Sequence, residues 1–298
     1  MNELAEKERI AIERLKAFEP DEPYHLCYSG GKDSDVIRIL AQLANVKHEL
    51  HHSLTSVDAP ETVRYVKSIP NMHIDIPHDK NGNRVSMWSL IVKNGLPPTR
   101  LVRYCCAELK EKGGRGRLKI TGVRAAESAN RKKNAGMVKI IGKPKTTQKT
   151  AEEIGAEYEV TKLGGLVMNM DNSESRRLVE HCYRTTSTMI NPIIDWTDDD
   201  VWDFLAYYGC ESNPLYQCGH SRIGCIGCPM ASNAQRLNEL EVKYPKYKQL
   251  YISAFDRMLA AHPEVNYQEN WRTGQGVYNW WLGIDDSQTM LNDINTKG

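Results

Sequence analysis

The pattern of this chain predicts an α/β layer fold around a parallel sheet, with a mainly helical C-terminal part. Three observations predict it. From Tyr24 to about Arg131, short apolar runs alternate with amphipathic stretches, the rhythm of strands joined by helical crossovers. The first apolar run turns through two glycines straight into a helix-patterned stretch. From Asn191 onward the apolar spacing becomes helical. With 298 residues the chain has room for one large domain or two small ones, and for a substantial core.

The elements follow in order. Asn2 to Phe18 is charged and helix-patterned through Leu4, Ala11, Leu15 and Phe18, unlike a signal peptide. A first strand, Tyr24–Tyr28, meets the helix Asp35–Leu43 through the loop Ser29–Ser34. A second strand, Glu49–Val57, ends at Asp58-Ala-Pro-Glu-Thr62, where a helix starts. A third, Met72–Ile76, closes before Pro77, and a fourth, Leu118–Val123, runs into Arg124-Ala-Ala-Glu-Ser128. Ligands of such sheets lie beyond the carboxyl ends of the strands, so the loop, Asp58 and Arg124 are expected at one pocket.

Residues 131–180 read as an insertion of weak periodicity. Its start, Arg131–Lys149, holds seven basic residues and no acidic one, which suits a solvated loop or hairpin or, alternatively, a polyanion contact. Thr197 is a good N-cap. Asp198, Asp199 and Asp200 favour the positive helix end behind it, and Val201, Phe204 and Leu205 form the buried face. Tyr244–Ala261 is a further helix with Leu250, Tyr251, Ala254, Phe255 and Met258 as its core side, stopped near Pro263. The aromatics Trp271, Tyr278, Trp280 and Trp281 fit packing better than a base-stacking platform.

Charge is nearly balanced, 39 basic against 38 acidic residues, so bulk charge announces neither a nucleic acid nor a membrane. No apolar run approaches the length of a membrane span, and the chain is expected in the cytoplasm. Eight cysteines in such a protein point to metal or redox chemistry rather than a disulfide framework.

In Ser29-Gly30-Gly31-Lys32-Asp33-Ser34 the strand–turn–helix context places backbone N–H groups and a helix N-terminus around one point, an anion site. Gly30 and Gly31 let the backbone approach an oxygen closely, Lys32 adds positive charge, and Ser29 and Ser34 add hydroxyls. The spacing differs from the Walker P-loop, which has four residues between its first Gly and its Gly-Lys. The segment resembles the pyrophosphate (PP) loop of the N-type ATP pyrophosphatases.

Among the cysteines, Cys225 and Cys228 form a Cys-x-x-Cys in a glycine-rich turn, and Cys105 and Cys106 are adjacent. The first pair can aim both sulfurs at one centre. A vicinal pair suits separate iron corners of a [4Fe–4S] cluster better than one zinc ion, because adjacent side chains diverge. Zinc and plain thiols remain the alternatives at this point. Cys27, Cys182 and Cys210 carry no such spacing, and Cys218 is either structural filler or a reactive thiol near Cys225.

These residues together resemble the sulfonucleotide reductases (PAPS and APS reductases), over roughly 24–131 and 180–230. Asp58–Thr62 is similar to the family's acidic strand-end segment. Gly122-Val-Arg-Ala-Ala-Glu-Ser128 with Arg131 resembles its Gly-x-Arg-x-x-Glu-Ser-x-x-Arg, and Asn191-Pro-Ile-Ile-Asp-Trp-Thr197 with Asp200-Val-Trp202 resembles its Pro-Leu-x-x-Trp-Thr segment. Asn213-Pro-Leu-Tyr216, Gly219 and Ser221–Cys225 resemble the stretch entering the cluster-binding turn. The resemblance implies an adenine-nucleotide alpha hydrolase-like (Rossmann-like) three-layer fold. It also implies nucleotide contacts at Ser29–Ser34, Asp58, Arg124, Glu127 and Arg131. It further implies a [4Fe–4S] cluster on Cys105, Cys106, Cys225 and Cys228, with Lys110 as a basic neighbour. The expected organisation is an N-terminal helix (1–23), a PP-loop domain carrying the cysteines (24–230, insertion about 132–180) and a helical region (231–298).

Two departures from the reductases matter. Their C-terminal Glu-Cys-Gly-Leu-His nucleophile has no counterpart, Cys228 being the last cysteine, and the ATP-type loop that they erode is intact. The first expectation is therefore ATP pyrophosphatase and adenylating chemistry coupled to sulfur transfer. Lys32, Asp33 and Arg124 would act on ATP with Mg²⁺, and a sulfur donor and a nucleic-acid substrate at 131–149 would be the partners. The second is an APS or PAPS reductase that releases sulfite with a thiol reductant, with Cys218 as relocated nucleophile. The third is a nucleotide-binding regulatory protein with a structural cluster. A homo-oligomer is left open.

Overall fold

Eight strands join in one sheet in the computed structural model, which describes residues 2–162, 164–265 and 271–284. They are β1 Tyr24–Cys27, β2 His48–Ser53, β3 Met72–Asp75, β4 Lys119–Ile120, β5 Val138–Ile141, β6 Glu159–Val160, β7 Leu166–Met168 and β8 Ser187–Ile190. Their order is β3-β2-β1-β4-β8-β5-β7-β6. The pairs β2/β1, β1/β4 and β4/β8 are parallel, whereas β8/β5, β5/β7 and β7/β6 are antiparallel. Fold class thus stands as α/β and Rossmann-like, with a mostly parallel sheet extended by an antiparallel half.

That extension comes from the segment read as an insertion. Residues 132–180 are regular: β5, β6 and β7 join the sheet, and helices Pro144–Ile154 and Ser173–Cys182 pack on one another. The basic run is accordingly neither a loose loop nor a hairpin. It runs through the end of helix Ala129–Asn134, through β5 and into Pro144–Ile154, leaving Lys132, Lys133, Lys143, Lys145 and Lys149 exposed.

The second strand is shorter than expected. β2 stops at Ser53, because Ser56 adopts φ 66° and Thr55 closes a turn on Asp58 through both its N–H and its hydroxyl, each at 2.7 Å. The helix behind the loop starts earlier, at Lys32, and the helix behind Thr197 forms with a full capping box, Thr197 and Asp200 bonding each other's backbone N–H.

Two compact units emerge. The first comprises 1–52, 60–75 and 113–223, the second 53–59, 76–112 and 224–298. This division does not follow the chain linearly: the N-terminal helix belongs to the first unit, and all four expected cluster cysteines belong to the second. In the first, Leu15, Leu26, Ile37, Leu40, Ile120, Ile190, Trp196 and Phe204 sit in one core. In the second, helices Met87–Asn94, Pro245–Ala261 and Gly274–Leu282 pack together. Trp281 lies 4.7 Å from Tyr251 and 5.6 Å from Phe255 between ring centroids. Leu250, expected in the core, is exposed, as is Trp280, while Tyr251, Ala254, Phe255, Met258, Tyr278 and Trp281 are buried. The expected helical region beyond residue 284 lies outside the described residues. No helix among the described residues is long and apolar enough to cross a membrane.

Candidate nucleotide loop and cysteine centre

At the end of β1 the chain reverses through Gly30, whose φ of 78° suits only glycine; a Cβ there would lie 2.9 Å from Val66. Gly31 N-caps the helix Lys32–Leu43 without any side-chain cap, so the positive end of the helix dipole lies at the loop. Asn213, fully buried, donates to the Gly30 carbonyl (3.0 Å) and to Thr62 (3.1 Å), and the Tyr216 hydroxyl accepts from the Lys32 N–H at 2.9 Å. These contacts hold the loop in shape before any ligand arrives.

The charges beside the loop form one network. Lys32 Nζ is 2.7 Å from Asp198 Oδ1, and its ammonium lies 5.7 Å from the Trp202 ring centroid. Arg124, with only 1% of its side chain exposed, binds Asp33 through Nε at 2.6 Å and Asp198 through Nη2 at 2.7 Å. Burial alone would lower the Arg124 pKa, but Asp33 and Asp198 outweigh it and raise it. The hydrogen bond from Lys32, joined by Arg124, holds Asp198 below the usual carboxylate range.

The Arg124–Arg131 segment buttresses itself. Glu127 accepts from the Arg124 N–H at 3.1 Å and pairs with Arg131 at 2.9 Å, while Ser128 caps the helix Ala129–Asn134 by accepting from the Arg131 N–H. Glu127 and Arg131 therefore shape the turn that presents Arg124.

The cysteine centre belongs to the second unit. Cys225 pairs with Asp58 in an isolated antiparallel bridge, and Ile226 donates to the Val57 carbonyl at 2.8 Å. Gly227, φ 69°, lies so close to Trp281, Tyr251 and Leu240 that a Cβ would meet them at 3.2–3.3 Å. Its N–H donates to buried Glu239 at 2.9 Å, on the π-helical turn Asn238–Lys243, and Tyr251 donates to the Ile226 carbonyl at 3.0 Å. The Cys-x-x-Cys turn is thereby fixed on every side.

Cys106 is drawn below the usual thiol range by its hydrogen bond with Cys105 and by the Arg103 guanidinium, whose Nη2 is 3.2 Å from its sulfur. Cys105 is raised by that same bond and by burial, with Cys225 and Cys228 adding to it, so the four sulfurs share one neighbourhood. Burial raises Cys225, opposed by Lys110, whose own pKa rises chiefly through the Cys225 thiolate. A tetrahedral zinc with bonds of roughly 2.3 Å draws thiolates to about 3.8 Å apart, whereas the corners of an iron–sulfur cubane separate them further. Four thiolate donors, two of them adjacent, are a set that the separate iron corners of such a cluster accept.

Of the expected nucleotide residues, the structure brings together Lys32, Asp33 and Arg124, with Glu127 and Arg131 behind them. Asp58, in the second unit, is tied to Thr55 and Cys225. Ser29 and Ser34 lie with their hydroxyls 3.4 Å apart, Ser34 donating to the Gly31 carbonyl. Cys218 is exposed, two residues after Tyr216. Asp198, Trp202, Asn213 and Tyr216 were missed as site residues. Asp198 reads in sequence only as a helix-dipole partner, and Asn213-Pro-Leu-Tyr216 offers a motif without a role.

The sequence profile of the phosphoadenosine phosphosulfate reductase domain matches residues 23–231, covering the loop, the Arg124 turn and every cysteine of the centre. The chain belongs to this family. Among PAPS reductase relatives, the adenosine 5′-phosphosulfate reductase of Allochromatium vinosum is 40% identical over 42 residues, 14% of this chain and 16% of that enzyme. An uncharacterised protein of Methanocaldococcus jannaschii is 25% identical over 256 residues, 85% of this chain and 50% of its own length. The chain spans about half the length of the archaeal relatives that it matches. The PAPS reductase of Candida auris superposes with a TM-score of 0.39 and 17% identity, over 72% of this chain and 87% of that one.

Proposed function

We propose that this PAPS reductase-family chain is an adenylating enzyme that cleaves ATP to AMP and pyrophosphate and couples that step to sulfur transfer. The observation that carries the proposal is the Lys32–Asp198–Arg124–Asp33 network at the uncapped amino end of helix Lys32–Leu43. The β- and γ-phosphates of Mg²⁺-ATP take the loop amides and the helix dipole. Lys32 exchanges Asp198 for phosphate oxygens, while Arg124 stays oriented by Asp33. A substrate oxygen attacks the α-phosphorus, the bond to pyrophosphate breaks, and Lys32 and Arg124 stabilise the charge gathering on the leaving oxygens. A reduced-sulfur donor then displaces AMP from the activated carbon.

Cys105, Cys106, Cys225 and Cys228 are the residues that would hold a [4Fe–4S] cluster, which when bound supplies redox and sulfur-handling chemistry. The exposed lysines 132, 133, 143, 145 and 149 support a polyanionic sulfur acceptor such as nucleic acid, bound more weakly as salt rises.

A second reading, sulfonucleotide reduction, is favoured by one observation: the exposed thiol of Cys218 follows Tyr216, whose hydroxyl meets the loop. Incubating anaerobically purified protein separately with ATP, APS and PAPS distinguishes the two. AMP with pyrophosphate from ATP supports adenylation; sulfite from APS or PAPS in the presence of a dithiol, with ATP left intact, replaces it by reduction.

A further inference from the structure

Strands of a parallel sheet buried on both faces are usually near-continuous aliphatic runs, yet β1, β2 and β3 are rich in imidazole and carboxylate. Register sets His25 of β1 beside Glu49 of β2 and Cys27 beside His51. Side chains two apart share a face, so His25, Glu49 and His51 look the same way. β3 completes the group, with Asp75 Oδ2 3.1 Å from His51 Nδ1 and the His73 ring 4.9 Å from that of His51. The His25 and His51 rings stack at 3.9 Å. One ligand atom each from His25, His51 and Asp75 falls within 4.8 Å of the other two.

We propose that His25, His51 and Asp75 form a second metal site, separate from the cysteine centre, for a borderline divalent transition ion such as Zn²⁺. Two imidazoles and one carboxylate are a donor set such ions accept, with remaining positions for water or a further side chain. The surroundings are built as a metal site needs. His51 Nε2 faces Glu49 at 3.4 Å, the outer carboxylate that commonly orients a ligating imidazole. Arg117 pins Glu49 at 2.5 Å and also donates to the Pro23 carbonyl. Gly114 presses on His25 so closely that a Cβ there would sit 2.6 Å from its ring, which fixes that ligand in place. Lys119, also nearby, is engaged with Ser187 at 3.3 Å.

Co²⁺ titration of anaerobically prepared protein, its cysteine centre filled, tests the site. The proposal expects a single added equivalent with the visible ligand-field bands of nitrogen and oxygen donors and no thiolate charge-transfer band. That equivalent is lost in His51→Ala and in Asp75→Asn, held about ten- to a hundredfold more weakly in Glu49→Gln, and retained in Cys228→Ser. Circular dichroism of each variant and its loop-dependent ATP binding report that the fold is intact. Retention of the added cobalt in both folded His51→Ala and Asp75→Asn overturns the site. So does a thiolate-coloured equivalent that vanishes in Cys228→Ser.

Discussion

Asp35, one turn into the loop helix, shows how much a single buried carboxylate can impose. It is fully buried, accepts hydroxyl hydrogen bonds from Tyr28 and Tyr65, and leaves Oδ2 unpartnered. Burial raises it to about 6 despite those bonds and despite Arg38, with Asp33 opposing ionisation and Cys210 nearby. A carboxyl raised from 3.8 favours the fold below that value and loses this contribution as pH climbs through about 6. That rise is worth roughly 3 kcal/mol. Asp35→Asn, which can still accept both tyrosine bonds, should flatten the fall in melting temperature between pH 4 and pH 7 measured by calorimetry. A wild type and variant with parallel pH profiles would refute this assignment.

At the same scale, Arg124→Lys keeps charge but cannot span Asp33 and Asp198 together. AMP formation should fall by about a hundredfold or more, with ATP affinity, read by equilibrium dialysis, affected far less.

Helix ends dominate the element scale. Thr197 caps the helix that carries Asp198, so Thr197→Ala should cost about 1 kcal/mol and lower the melting temperature by about 2–4 °C. In the cysteine unit, Gly227→Ala forces a Cβ against Trp281, Tyr251 and Leu240 at a positive φ. It should cut iron content per chain after anaerobic reconstitution well below that of wild type, and normal iron loading would show that the turn tolerates a side chain.

Such local features are what sequence reveals best. The loop, the Thr197 cap and the Tyr251–Met258 face each follow from residues a few positions apart, and each forms as expected. The partners of Asp58 and the regular structure of the 132–180 segment escaped because they depend on distant residues. Asp58 is fixed by Thr55 and Cys225, and β5 and β7 find their roles only by pairing across the sheet with β8 and with each other. Asp198 escaped for a related reason: its partners, Lys32 and Arg124, lie 166 and 74 residues away.

Across the whole molecule, the loop and the cysteines fall in different compact units although both lie within one family domain. A unit stapled by the proposed cluster should loosen when the ligands go. Cys225→Ser should therefore raise hydrogen exchange in Pro245–Ala261 and Gly274–Leu282 while leaving Lys32–Leu43 protected. Uniform loosening of both units would argue against their energetic independence.

The central claim is that the intact loop cleaves ATP, and its most direct measurement is AMP and pyrophosphate formation by anaerobically prepared wild type beside Lys32→Ala. Equal amounts of AMP and pyrophosphate from wild type, falling by about a hundredfold or more in the variant, are the result the account predicts. AMP formation unchanged in Lys32→Ala, or no AMP from wild type while APS yields sulfite, would contradict it.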